Sequence, residues 1–176
     1  ELSSAIEARE SFDLVRDFTI PLPVTVIAEL LDIEKSRHDD FKHWSDCLIQ
    51  LLNDNAGPKW ESARRGVFEL LDFFRNVFEE RSSDFEGRRD ILAVLLQAEA
   101  QSRITRREMV AYSILLLTGG NETTTNLIGG MAIALRENPD QLAVLLESPD
   151  QIPNAIEEGL RYCSPVQGVY RRAMRD

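Results

Sequence analysis

Two cysteines and two histidines are all that this 176-residue chain offers to thiol or imidazole chemistry. That is too few for a disulfide framework and fits a reducing compartment. His38 and His43 stand five residues apart on a predicted helix and do not converge, which argues against a metal site within the chain. No apolar run approaches the length that crosses a bilayer. Basic charge is scarce as well: 20 Lys and Arg face 30 Asp and Glu, a net charge of −10, so there is no basic stripe for nucleic acid. Internal repeats, low-complexity tracts and a targeting segment are also missing. What is present, 43% hydrophobic residues, suffices for one domain's core. The expectation is a cytoplasmic protein with neither membrane nor nucleic acid as partner.

The apolar pattern is helical throughout, so the expected fold is mainly α. Residues 1–7 already read as helix. Pro21 and Pro23 introduce a helix through residue 31, and residues 36–52 form the next, with Phe41, Trp44, Leu48 and Leu51 at helical spacing. Residues 53–58, Asn-Asp-Asn-Ala-Gly-Pro, are a loop. A helix over 60–81 follows, with Phe68, Leu71, Phe74 and Phe78 on one face, and a shorter one covers 90–99. Aromatic stripes at such spacing ordinarily mean core packing.

One segment breaks the plain pattern. Leu115-Leu-Leu-Thr-Gly-Gly-Asn-Glu-Thr-Thr-Thr125 sets two glycines, a carboxylate and three hydroxyls inside a long apolar helix. Each glycine costs roughly 1 kcal/mol against alanine in a helix interior, and both leave the backbone open to close approach. Thr105 and Glu108 have the spacing of a capping box that starts this helix, and Pro139 stops it. Between them Val110, Ile114, Leu115, Leu116 and Leu117 make it apolar on most sides, as in a buried helix. Leu116, the glycines, Thr123 and Leu127 are expected to share one stripe, with a gap at its middle and an alcohol at the gap's edge. A core helix bent at a glycine pair, its hydroxyls bonded back to carbonyls, accounts for most of this. It leaves Glu122 unexplained, a charge that a purely structural helix would have to solvate or pair. Asn121-Glu-Thr123 also matches a glycosylation sequon, rejected here because it lies within an apolar helix.

The run Thr118-Gly-Gly-Asn-Glu-Thr-Thr124 resembles the oxygen-binding segment of the cytochrome P-450 family, the heme-thiolate monooxygenases, whose pattern is Ala or Gly, Gly, any residue, Asp or Glu, Thr, Thr. Further on, Glu158-Gly-Leu-Arg161 matches the family's Glu-x-x-Arg, followed in order by Tyr162-Cys-Ser-Pro-Val-Gln167 and Arg171-Arg-Ala-Met-Arg-Asp176. Upstream, the stretch from Asp13 to Leu31 resembles the entry to the central helices of soluble bacterial members. The likeness spans nearly the whole chain. Periodicity alone would place Ile152, Ile156, Leu160 and Cys163 on the apolar face of a helix beginning near Pro153, with Glu158 and Arg161 a solvated pair. The resemblance instead implies that Glu158 and Arg161 are structural and face a buried third partner, an Arg C-terminal to this chain.

The resemblance implies much about function. The fold would be a truncated central helical core with little or no sheet: residues 1–104 are helices including the roof pair over the substrate pocket, 105–138 the oxygen-binding helix, and 139–176 the Glu-x-x-Arg helix and a following strand, together one partial domain. Heme would lie against Gly119 and Gly120, with Arg171 pairing with a propionate. Thr123 would hydrogen-bond oxygen or an ordered water and Glu122 would relay protons, these two being the catalytic residues. Leu115, Thr118, Val166 and Val169 would wall the pocket for a small hydrophobic organic substrate. O2 is the co-substrate, and a ferredoxin or reductase the electron donor. The family's Cys loop has no counterpart here; Cys47 and Cys163 lack its flanking glycines, so the heme ligand would lie outside this chain. The chain is therefore expected to be a central piece of a monooxygenase, inactive alone. The alternative is a non-catalytic helical interaction module derived from such an enzyme.

Overall fold

In this computed structural model, residues 2–7, 9–53, 57–168 and 171–174 are described. Proline sets many of the helix starts, because its fixed φ suits a first turn whose N–H has no partner anyway. It stands in the first turn of α2 (Pro21–Leu30), α4 (Pro58–Arg81), α7 (Pro139–Glu147) and α8 (Ile152–Cys163). The remaining helices are α1 (Leu2–Glu7), α3 (His38–Asn53), α5 (Ile91–Ala100) and α6 (Arg106–Glu137), with a π-helical turn at Val15–Thr19 and 3-10 turns at Lys35–Arg37 and Pro149–Gln151. Side chains cap α5 and α6 instead. Asp90 accepts from the Ala93 amide at 3.0 Å to open α5. The Thr105 and Glu108 pair closes reciprocally to open α6, Glu108 accepting from the Thr105 amide at 2.7 Å and Thr105 Oγ1 from the Glu108 amide at 3.3 Å. The fold is mainly helical, with no strand among the described residues.

The chain divides into two compact units, Ile20–Asn121 and Glu1–Thr19 with Glu122–Asp176. In the larger, the aromatic residues of α3 and α4 form the centre. Phe41, Phe74 and Phe78 are fully buried, with Phe41 and Phe74 edge to face at 5.9 Å. Each such side chain contributes about 1.5–3 kcal/mol of apolar burial. Trp44 stacks obliquely on Phe73 at 5.0 Å and donates its indole N–H to Glu69 at 3.3 Å, which satisfies the polar end of a ring only 4% exposed. The buried face of α4 is Ala63, Gly66, Leu70, Phe74 and Phe78. Phe68, expected on that face, is half exposed and lies under the Arg64 guanidinium at 5.4 Å, while Leu70 takes the core position.

The ends of three helices meet at an ion network. Asp32, held in left-handed conformation at φ 51°, receives Arg81 through its carbonyl at 2.7 Å and Arg88 through its carboxylate. Both arginines also reach Asp90, the α5 cap, at 3.4 and 3.2 Å. Charge-assisted bonds thereby join the end of α2, the end of α4 and the start of α5.

In the smaller unit, small residues let the second half of α6 and α8 approach. A Cβ on Gly159 would collide with Met131 Sδ, and one on Gly130 would stand 3.2 Å from Cys163 Sγ. Thr125 Oγ1 donates to the Thr19 carbonyl at 2.9 Å, tying α6 to the N-terminal segment. The face of α8 that packs is thus the Gly159 and Cys163 side. Ile152, Ile156 and Leu160, expected to be covered, are 48%, 43% and 42% exposed. The strand expected after α8 is not formed among the described residues 164–168 and 171–174. Ser164, left-handed at φ 43°, ends the helix instead.

Candidate functional site

Helix α6 runs from Arg106 to Glu137 without a break at its glycines. The expectation of a helix apolar on most sides is corrected by a one-sided burial. Met109, Val110, Ser113, Leu117 and Asn121 form the buried stripe, at four-residue spacing from Met109, while Leu115 is 62% exposed. Thr118 and Ser113 spend their hydroxyls on carbonyls one turn back, Ile114 at 2.9 Å and Met109 at 3.0 Å. Thr118 is therefore partly buried and bonded to its own helix.

The two glycines do different work. A Cβ on Gly120 would come within 2.8 Å of Ile27 Cδ1 and 3.4 Å of its Cγ1, so Gly120 is where α2 and α6 approach closely. At Gly119 an added Cβ would meet nothing within 4 Å. The single shared stripe expected for both glycines is thus split: one faces a neighbouring helix, the other open space. Beside them Ile27, Leu30, Leu31, Ile91, Leu115 and Leu116 line an apolar groove of about 300 Å³. The open Gly119 with exposed Leu115 one turn before it is a cradle that a flat apolar molecule can occupy, and in this respect the residues present fit a heme edge.

Beyond the glycines, Glu122 is exposed and Thr123 and Thr124 are partly buried. Asn121, next to Gly120, is 3% exposed, which removes it as a glycan acceptor. Its amide donates to the buried Ser45 hydroxyl on α3, and its Oδ1 has no partner among the described residues. Sequence reasoning passed over this pair. The four-residue spacing puts Asn121 in line with Met109, Ser113 and Leu117, but no local pattern marks Ser45 as its partner.

Glu158 and Arg161 form a solvent-facing pair on α8, with bonds of 2.8 and 2.5 Å. The Arg161 hydrogen bond holds the Glu158 carboxyl below its ordinary range, and Glu158 raises the guanidinium in turn. Within this chain the pair matches what periodicity alone predicts. Val166 and Arg171 are exposed; Val169 lies outside the described residues. Cys47 is not poised as a thiolate. Burial, with the charges of Asp46 and Glu69, pushes the Cys47 thiol up, and its sulfur lies 3.6 Å from His43 Nε2. Cys163 is partly buried. Among the described residues no group of three His, Cys, Asp or Glu side chains could hold a metal ion, and no helix is long and apolar enough to cross a membrane.

Comparison with known proteins identifies the family. The family described as Cytochrome P450 matches residues 5–155. Cytochrome P450 107B1 of Saccharopolyspora erythraea is 39% identical over 173 residues, covering 97% of this chain and 41% of the relative. Cytochrome P450 CYP109Q5 from Chondromyces apiculatus superimposes with a TM-score of 0.85 at 36% identity, over 99% of this chain and 42% of that one. CYP109E1 from Bacillus megaterium, solved in complex with corticosterone, gives a TM-score of 0.84 at 37% identity, over 94% of this chain and 45% of that one. The chain thus spans about two fifths of the length of the relatives it matches.

Proposed function

This chain belongs to the cytochrome P450 family, and from that premise we propose that it forms the oxygen-binding face of a heme-dependent monooxygenase that inserts one oxygen atom from O2 into a small hydrophobic organic substrate. The observation that carries the reading is the open position at Gly119, flanked by exposed Leu115, on an unbroken helix whose next residues are Gly-Asn-Glu-Thr-Thr.

Heme, when bound, supplies the activation of O2. The chain's own residues do the rest. Gly119 leaves the space in which a macrocycle and a diatomic gas fit, since any side chain there would enter it. Gly120 keeps α6 seated against Ile27. Thr123 holds a hydroxyl proton beside the opening, one turn on from Gly119. Glu122, exposed, takes protons from solvent; because adjacent helical residues do not face one another, it hands them on through an ordered water. Arg171 offers a guanidinium fork to a heme propionate. Leu115 and Thr118 wall the substrate space, with the α3 and α4 pair as its roof. The corticosterone bound to the Bacillus megaterium relative supports a small hydrophobic substrate. A ferredoxin or reductase donates the electrons, and the setting is cytoplasmic.

The test is Thr123→Ala in the heme-containing protein. The expected result is unchanged heme content with electrons diverted from product to hydrogen peroxide. Undiminished product per electron pair would refute the role of Thr123.

A further inference from the structure

An asparagine and a serine meet in the interior of the larger unit, where every neighbour along the stripe except Ser113 is apolar. Ser45 on α3 is 1% exposed and Asn121 on α6 is 3% exposed. The Asn121 amide donates to the Ser45 hydroxyl across 76 residues of sequence, and the Asn121 carbonyl oxygen is left without a partner among the described residues. Two apolar side chains would fill the same space at lower cost, because a buried amide with an unmade bond keeps its desolvation penalty. A buried polar pair of this kind is best suited to choosing one register between helices that apolar packing alone would let slide or rotate. Its position adds to the argument. Asn121 stands between Gly120, whose missing Cβ lets α6 seat on Ile27, and Glu122. On the other helix, Ser45 is two residues from Cys47, whose sulfur closes on Gly66 of α4.

We infer that Ser45 and Asn121 are positioning residues: their hydrogen bond sets the rotation and axial register of α6 against α3 at Asn121, the residue before Glu122. The claim stands on the geometry of the larger unit; any bearing on oxygen chemistry rests on the function proposed above. Removing one partner strands the other, whereas removing both leaves a satisfied apolar contact. Stability and register therefore separate in a variant that loses both.

The experiment compares the parent chain with Ser45→Ala, Asn121→Leu and the double variant, by thermal unfolding and by amide hydrogen exchange at residues 118–125, without heme. Ser45→Ala is expected to lower the melting temperature and quicken exchange. The double variant is expected to regain the parental melting temperature while exchange at 118–125 stays about tenfold faster than in the parent. Exchange that returns to the parental rate along with stability would reduce the pair to packing and overturn the inference. So would a Ser45→Ala variant that changes neither quantity. Because no heme is involved, these outcomes are independent of whether the oxygenase reading holds.

Discussion

Adjacent glycines at 119 and 120 should respond in different ways to the same substitution. Either replacement by alanine gains about 1 kcal/mol of helix propensity. At Gly119 the new methyl meets nothing within 4 Å, so the gain is kept. At Gly120 it arrives 2.8 Å from Ile27 Cδ1 and forces that atom aside. The groove of about 300 Å³ that Ile27 lines gives it room to swing. The rotamer change and lost contacts cost about 0.5–1.5 kcal/mol, enough to cancel the propensity gain. Gly119→Ala should therefore raise the melting temperature by about 2–4 °C, with Gly120→Ala close to the parent. The mechanism is checked by Ile27→Val, which removes Cδ1. It should cost about 0.5–1.5 kcal/mol in the parent and close to nothing in the Gly120→Ala background. Urea and thermal unfolding of the four chains, followed by circular dichroism, complete the cycle. Equal stabilisation by both alanines, or an Ile27→Val cost that is the same in both backgrounds, would refute the packing role given to Gly120.

Other perturbations follow from the same structure. Phe74→Ala, which empties a fully buried site, should destabilise by about 3–5 kcal/mol, whereas Phe68→Ala on the same helix should stay within about 0.5 kcal/mol; similar losses would restore the aromatic face that periodicity suggested. Glu108 is held below its ordinary carboxylate range by the Thr105 amide and hydroxyl. Its capping contribution is thus complete above the unfolded-state pKa and is lost as pH falls through the depressed folded value, so Glu108→Gln should flatten the acid limb of stability against pH; a parallel curve would remove that role. Arg161→Ala should leave the melting temperature of this chain unchanged, since the pair it breaks faces solvent; a marked drop would mean that the pair is structural here.

Helix positions were legible because their signals are local. Prolines at 21 and 153 and the Thr105 with Glu108 box act within one turn of the residues they organise, whereas Pro58, read as loop, and Pro139, read only as a stop, each also start a helix. The order of the family motifs was equally legible, and it identified the family. Which face each helix buries was less so. On α4, Phe68 and Leu70 both extend the apolar pattern, and only the position of α3 decides that Leu70 goes inside. On α8 the hydrophobic stripe Ile152, Ile156 and Leu160 is the exposed one, because Gly159 and Cys163 permit a closer approach to α6 than branched side chains would. The glycine pair shows the same limit. Spacing places Gly119 and Gly120 together, but their directions differ by the rotation of one helical residue, enough to turn one to Ile27 and the other to open space. The Ser45 and Asn121 bond joins residues 76 apart, beyond any local signal.

The most direct test of the central claim is an absorption spectrum of the protein purified from the cells that make it, reduced with dithionite and exposed to carbon monoxide. A strongly red-shifted Soret band is predicted, the mark of thiolate-ligated heme, and it should weaken when Gly119 is replaced by a bulky residue such as Leu. A heme band at the ordinary position, or one that Gly119→Leu leaves untouched, would contradict the account.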